Sequence, residues 1–398
     1  MTPTLLTDAQ SILPDIVAVR RTLHRHPEVG LRLPYTQSVV VAELERLGLK
    51  PRLGASTSSV TAVIEGARPG PTILLRGDMD GLPLHEDTGL EFASETGDTM
   101  HACGHDTHVS MLLGAARLLL QRRDQLTGNV LLMFQPGEEG WHGARYMLEE
   151  GLLDAAPSPV AAAFAIHIGT RYPAGTIHLR SGATYAAADT IRLTVRGRGG
   201  HASTPHLSLD PIPVAAEIIL ALQSMVTRTV DVFDPTVLTI GHVVAGTRDN
   251  ITPETALVEG TIRTVSEATR ARVHEGVRRV VRGVCDAHGA TGELEIEPGY
   301  GVTMNDPAFT GMVREVAAGM IGAGAVCALE APLMGAEDFS YVLQRAPGAI
   351  VMLGARPADV DEATAPQNHS NRVVFDEPSM AVGAALHAAV ALRYLGGA

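Results

Sequence analysis

The stretch His101–Leu120, HACGHDTHVSMLLGAARLLL, sets three histidines, a cysteine and an aspartate directly ahead of an apolar helix pattern. Val109, Leu112, Leu113 and Ala116 form one stripe, continued by Leu119 and Leu120, so the polar cluster sits at a helix N-terminus. Cys103 and His105 are separated by one residue. In an extended or loop backbone both side chains point the same way, within reach of one metal ion or of a closely spaced pair. A lone Cys is often core filler and a lone His a surface group, but thiolate, imidazole and carboxylate crowded together match metal chemistry better than packing.

On either side of this stretch, apolar strands end in acidic or imidazole groups. Ser59–Glu65 and Thr72–Arg76 read as strands, the second running into RGDMDGLPLHE, where Asp78 and Asp80 share one side. An ordinary Asp-Gly turn is the competing reading there. Asn129–Phe134 is a further strand, followed by QPGEEG, in which one of the adjacent Glu138 and Glu139 can bind a metal while its neighbour accepts a proton. Val160–His167, VAAAFAIH, ends on His167. Ligands in open α/β sheets gather beyond such strand ends, and the intervening helix pattern implies parallel β-α units covered on both faces.

The rest of the chain follows this frame. Helices are expected over Pro14–His24 and Tyr35–Leu47, then at Asp306–Met320 with Pro307 in its first turn, and at Pro378–Leu395; Ala349–Leu353 reads as a strand. Between these α/β parts the pattern changes. Asp189–Val195 (strand), Pro213–Met225 (helix), Thr236–Val244 and Leu257–Thr264 (strands), Arg270–Ala287 (helix) and Glu293–Glu297 (strand) make a split β-α-β unit. The layout is an α/β catalytic domain over 1–185 and 299–398, interrupted by a smaller α+β domain over 186–298. RGRGGHASTPH, with His201 and His206, is a Gly-rich turn of the inserted part, and Asn368–Asn371 is a polar loop carrying His369.

Composition narrows the function classes. A chain of 398 residues with a net charge of −13 and no basic cluster is a poor match for nucleic acid or an anionic membrane surface. It contains no run of about 18 apolar residues, and MTPTLLTDAQ lacks the features of a secretion signal, so a soluble, cytoplasmic protein is expected. Cys103, Cys285 and Cys327 are too scattered for a disulfide framework.

Taken together, RGDMDGLPLHE, HACGHDTHVSMLLGAA, FQPGEEG, the His167 strand end, GGHASTPH, GAEDFSY and NHS resemble the M20 metallopeptidase and amidohydrolase family. The likeness points to its branch of hippurate hydrolases, N-acyl-amino-acid amidohydrolases and auxin-conjugate hydrolases, and extends from RRTLHRHPE to the last helix. It implies a mostly parallel-sheet, zinc-exopeptidase-like catalytic domain interrupted by a ferredoxin-like lid that carries dimerisation. It also implies two divalent ions per subunit held by Cys103, His105, Glu139, His167 and His369, with Cys103 bridging. Glu138 is then the general base, Asp80 orients a ligand histidine, and Asp78 stands near the site without being a ligand. His201 reaches the partner subunit's site to stabilise an oxyanion, while Asn250 and Arg263 face substrate. Gly81 departs from the alanine common in the branch.

The implied substrate is a small N-acetyl or N-benzoyl amino acid, cleaved to a carboxylic acid and a free amino acid by a homodimer or homotetramer joined through the lid. A dipeptidase or carboxypeptidase, an N-acetyl-diaminopimelate deacetylase and a non-catalytic metal-dependent binding protein are the alternatives. Thiolate and imidazole suit zinc, cobalt or nickel, and the glutamate tolerates manganese.

Overall fold

The computed structural model describes residues 2–396, which form two compact units. The first holds the chain up to Thr184, Met304–Ala331 and the chain from Asp338 onward; the second holds Tyr185–Thr303 and Pro332–Glu337.

Apolar runs build the centre of the first unit. Thr127–Gln135, Arg68–Asp78, Val160–Pro173 and Gly348–Arg356 are neighbouring parallel strands, in that order. Their middles, VLLMF at 130–134, ILL at 73–75, AAFAI at 162–166 and AIVML at 349–353, are buried throughout. A parallel sheet is covered on both faces, which is why these strands read as continuous apolar runs. Val60–Glu65 and Arg52–Leu53 extend one edge antiparallel, and the short strands Ile177–Leu179 and Val326–Ala328 extend the other, giving eight strands. The helices His105–Leu120 and Ser379–Leu395 pack on each other and are buried nearly all round, as a helix apolar on every side must be. At their contact Gly383 makes the room: a Cβ there would stand 2.0 Å from Met111 Sδ.

The second unit is a four-stranded antiparallel sheet in the order Thr236–Ala245, Thr255–Thr264, Ala187–Arg196, Thr291–Pro298. With the helices Pro211–Thr229 and Glu267–His288 this is the β-α-β-β-α-β arrangement of the ferredoxin-like fold. Alternation along Ala187–Arg196 explains its layering. Ile191, Leu193 and Val195 are buried with Val214, Ile218, Val273 and Val277 of the helices, while Arg192 and Arg196 pair on the wet face with Glu259 and Glu293. Asp210 and Ser266 cap the two helices by accepting from the N–H groups of Ile212 and Thr269 at 2.9 and 3.1 Å.

Several elements outrun their sequence patterns. Thr2–Ser11 is a helix that buries Leu5 and Ala9, although no helix is expected there. The strand expected over Thr72–Arg76 spans Arg68–Asp78, and the one expected to stop at His167 continues to Pro173 because Gly348–Arg356 keeps pairing with it. Among the described residues no helix is long and apolar enough to cross a membrane.

Candidate metal centre

The parallel strands of the first unit run side by side and deliver their polar residues to one end of the sheet. Asp78 closes Arg68–Asp78, Glu138 and Glu139 follow Gln135, and His167 lies beyond the apolar middle of its strand. His105 opens its helix immediately after Gly104, whose φ of +83° lies in the left-handed region. A side chain at Gly104 is doubly barred, since a Cβ would also meet Ile168 Cγ2 at 2.4 Å. The turn that presents Cys103 and His105 together therefore depends on glycine.

Two triads of ligand atoms share one sulfur. Cys103, His105 and His167 form one group with all atoms within 4.8 Å of one another, and Cys103, Glu139 and His369 form a second. Glu138 joins His105 and Glu139 in a third group at the same spot. Cys103 Sγ lies 3.5 Å from His167 Nε2, and Glu139 Oε1 lies 3.1 Å from His369 Nε2. The five expected ligands thus converge, although His369 is 264 positions beyond His105 (369 − 105). Its loop is tied in by the His369 N–H donating to Ala102 O at 2.9 Å, and His369 itself takes a φ of +69°, costly for a residue with a Cβ.

The donor chemistry fits a cation. His105 is fully buried, and its ring nitrogens make no well-formed hydrogen bond, with Asp80 Oδ1 3.4 Å from Nδ1 and Asp78 Oδ2 3.3 Å from Nε2, the kind of under-satisfied buried polar group that a bound ion accounts for. Burial alone would raise the Cys103 thiol; the charges of His167 and His105 outweigh it and hold the group well below its ordinary value, in the thiolate form that binds metal. His369 is pushed up to about 10 by hydrogen bonding to Cys103 and then Glu139. A cation bound there displaces that proton, so uptake weakens as pH falls. These clusters are consistent with a dinuclear divalent metal site.

Asp80 organises the acidic loop. Its two carboxylate oxygens accept from the N–H groups of Glu138 and Glu139, each at 3.0 Å, and Oδ1 stands 3.4 Å from His105 Nδ1. Asp78 lies instead against Arg76 and His108, at 2.8 and 2.5 Å. The grouping of Asp78, His105 and His108 also has ligand-like spacing, but both nitrogens of His108 are engaged, Nδ1 by Asp78 and Nε2 by the Ile168 N–H at 2.8 Å.

The sequence profile of the peptidase family M20/M25/M40 matches residues 74–393. The chain belongs to this family. It is 38% identical to the thermostable carboxypeptidase 1 of Saccharolobus solfataricus over 98% of each chain. It is 36% identical to the N-acetylcysteine deacetylase of Bacillus subtilis over 96% of this chain and 97% of that one. Among solved structures it is similar to the YXEP protein of Bacillus subtilis, described as a dinuclear metal-binding peptidase of the M20 family. There the TM-score is 0.83 at 33% identity, covering 97% of this chain and 99% of that chain. The two-domain α/β architecture is that of the M20 fold.

The remaining expected residues lie in the second unit. His201 is exposed on the short strand Gly200–His201, which pairs with Ile251–Thr252, and its Nδ1 is 2.8 Å from Ser203 Oγ. Asn250 is its neighbour, its carbonyl accepting from the Ala202 N–H at 3.1 Å. Arg263 lies on Thr255–Thr264, half-buried, with Nη1 donating to Ile262 O at 3.3 Å. Sequence reading passed over Asn368, whose amide donates to Cys103 O at 3.2 Å and Ile168 O at 2.9 Å. Its place beside His369 in the NHS loop was the available signal.

Proposed function

We propose that this protein is a metal-dependent amidohydrolase that removes the acyl group from N-acetyl or N-benzoyl amino acids. It would belong to the family branch of hippurate and auxin-conjugate hydrolases. The observation that carries the proposal is the pair of ligand triads joined at Cys103 with Glu138 beside them. Cys103, His105 and His167 would hold one divalent ion, and Cys103, Glu139 and His369 the other. Bound there, such ions lower the pKa of water towards neutrality and polarise a carbonyl oxygen.

Glu138 takes the proton of the attacking water and returns it to the leaving amine. Asp80 fixes the direction of both glutamates through their backbone N–H groups and orients His105. His201, with Nδ1 held by Ser203, is the proposed donor to the developing oxyanion, supplied from a partner subunit. Asn250 and Arg263 are the proposed contacts for the substrate's free α-carboxylate. The edge strand Thr236–Ala245, with Val237, Val243 and Val244 exposed, supports association through the smaller domain. Three free cysteines fit a cytoplasmic location.

The test is a panel of acetyl-, benzoyl- and indoleacetyl-amino acids, their methyl esters, and dipeptides. Hydrolysis of the acids well ahead of the esters is expected; equal rates would remove the carboxylate contact. The likeness to a carboxypeptidase favours peptide cleavage as the second reading, and faster turnover of dipeptides than of any N-acyl amino acid would select it. Mixing His201→Ala chains with Glu138→Gln chains should restore activity if His201 acts across subunits.

A further inference from the structure

Ile168 occupies an unusual place in the sheet. The strand Arg68–Asp78 pairs with Val160–Pro173 only as far as Arg76 opposite Ala165, so beyond that point the second strand loses its partner on this side. The peptide groups of Ile168 are satisfied by side chains instead. Its N–H donates to His108 Nε2 at 2.8 Å, and its carbonyl accepts from His167 Nδ1 at 2.8 Å and from the Asn368 amide at 2.9 Å.

Backbone chemistry determines where the protons are. A peptide N–H only donates, so His108 Nε2 is bare and its proton is on Nδ1, which gives it to Asp78 Oδ1 at 2.5 Å. A peptide carbonyl only accepts, so His167 Nδ1 carries a proton, and Nε2, 3.5 Å from Cys103 Sγ, is the nitrogen left to offer its electron pair to a metal. Asp78 is in turn held by Arg76 Nη1 at 2.8 Å. Arg76, Asp78 and His108 are all essentially inaccessible to solvent, so no water competes for these bonds.

We infer that His108, oriented by Asp78, is a positioning residue that anchors the Ile168 peptide and through it sets the ring and tautomer of His167. The inference rests on the proposed role of His167 as a ligand. It has a directional consequence: His167 belongs to one triad only, so loosening it weakens one ion site and leaves the site of Cys103, Glu139 and His369 in place. Partners of this kind are worth about 10- to 100-fold in metal affinity.

The experiment is stepwise cobalt titration of the metal-free chain, following the thiolate charge-transfer band, with elemental analysis of ions retained after dialysis. Wild-type protein is expected to take up two ions. His108→Phe, which keeps a ring but neither nitrogen, should bind one ion with unchanged affinity and the other about 10- to 100-fold more weakly. The melting temperature of the metal-free variant separates this from general damage. Asp78→Asn, of equal size, should give the same selective loss, and it decides the matter if His108→Phe does not fold. Two ions bound with wild-type affinities by either folded variant, or equal weakening of both sites, overturns the inference. A wild-type chain that takes up fewer than two ions overturns the underlying ligand assignment, and the inference with it.

Discussion

Of two buried polar clusters within the first unit, the one around Cys103 has the character of a site and the one around Asp106 does not. Around Asp106 the charges are paired: its Oδ2 accepts from Arg20 Nε at 3.0 Å and from His24 Nδ1 at 2.8 Å, although its buried Oδ1 has no hydrogen-bond partner. His24 Nε2 is 3.2 Å from Glu86, and Arg20 and Arg21 both reach Glu377, at 2.9 and 2.6 Å. These bonds join the helix Leu13–His24 to three distant parts of the chain. Around Cys103 the balance differs, because ligand atoms crowd together and neither nitrogen of His105 makes a well-formed hydrogen bond, with Asp80 and Asp78 at 3.4 and 3.3 Å. Burial and charge alone do not mark a site; a surplus of convergent electron-pair donors does. His101 sharpens the point. Its ring nitrogens also lack partners, but burial pushes it down to about 4, so it is neutral, and it joins no group of ligand atoms among the described residues.

The contrast breaks most visibly at Glu138. Replacing it by Gln is expected to cut turnover by about 10²- to 10⁴-fold while both ions stay bound, since the proposed base is lost but every proposed ligand remains. Steady-state rates beside elemental analysis check this, and activity near wild type would end the assignment. Cys103→Ser should do the opposite first, losing metal because the bridging atom is gone.

Asp106→Asn tests the other cluster. Removing one partner of a buried ion pair should cost about 3 to 5 kcal/mol of stability, read from urea unfolding, with two ions still bound by the folded protein. If metal uptake fell while stability held, the division between the clusters would be wrong.

A smaller effect is expected from pH. Burial lowers the His24 value, but the charge of Asp106 together with hydrogen bonds to Asp106 and Glu86 outweighs it, and the group is pushed up from 6.5 to about 9. Folding therefore favours the protonated ring. That contribution, on the order of 3 kcal/mol, is complete below about pH 6.5 and disappears as pH rises through about 9. Urea midpoints across this window should fall with rising pH in wild type and fall less in His24→Gln.

Much of the site could be read from local pattern. Glu138, Glu139 and His167 follow apolar strands, and in a parallel sheet strand ends must meet at one edge, so their convergence follows from hydrophobicity alone. The helix opening at Asp306 likewise comes with Pro307 marking its first turn, whereas the helix expected from Pro213 begins at Pro211, capped by Asp210. The short strands Ile177–Leu179 and Val326–Ala328 carry too few residues for a periodic signal. The inclusion of Pro332–Glu337 in the second unit is equally a product of folding.

HACGHDTH shows where the division falls. The sequence by itself determined which candidate donors crowd this stretch and the helix that follows them. Local pattern did not separate His105 from His108, which sit three positions apart on one helix with the same chemistry, and the family resemblance alone named His105 as the ligand. In the fold the two differ, because the Ile168 N–H occupies one nitrogen of His108 and Asp78 the other, while His105 and His167 group with Cys103. The physical reason is that a ligand is defined by an electron pair left unused, and which pairs are used depends on chain segments far away in sequence.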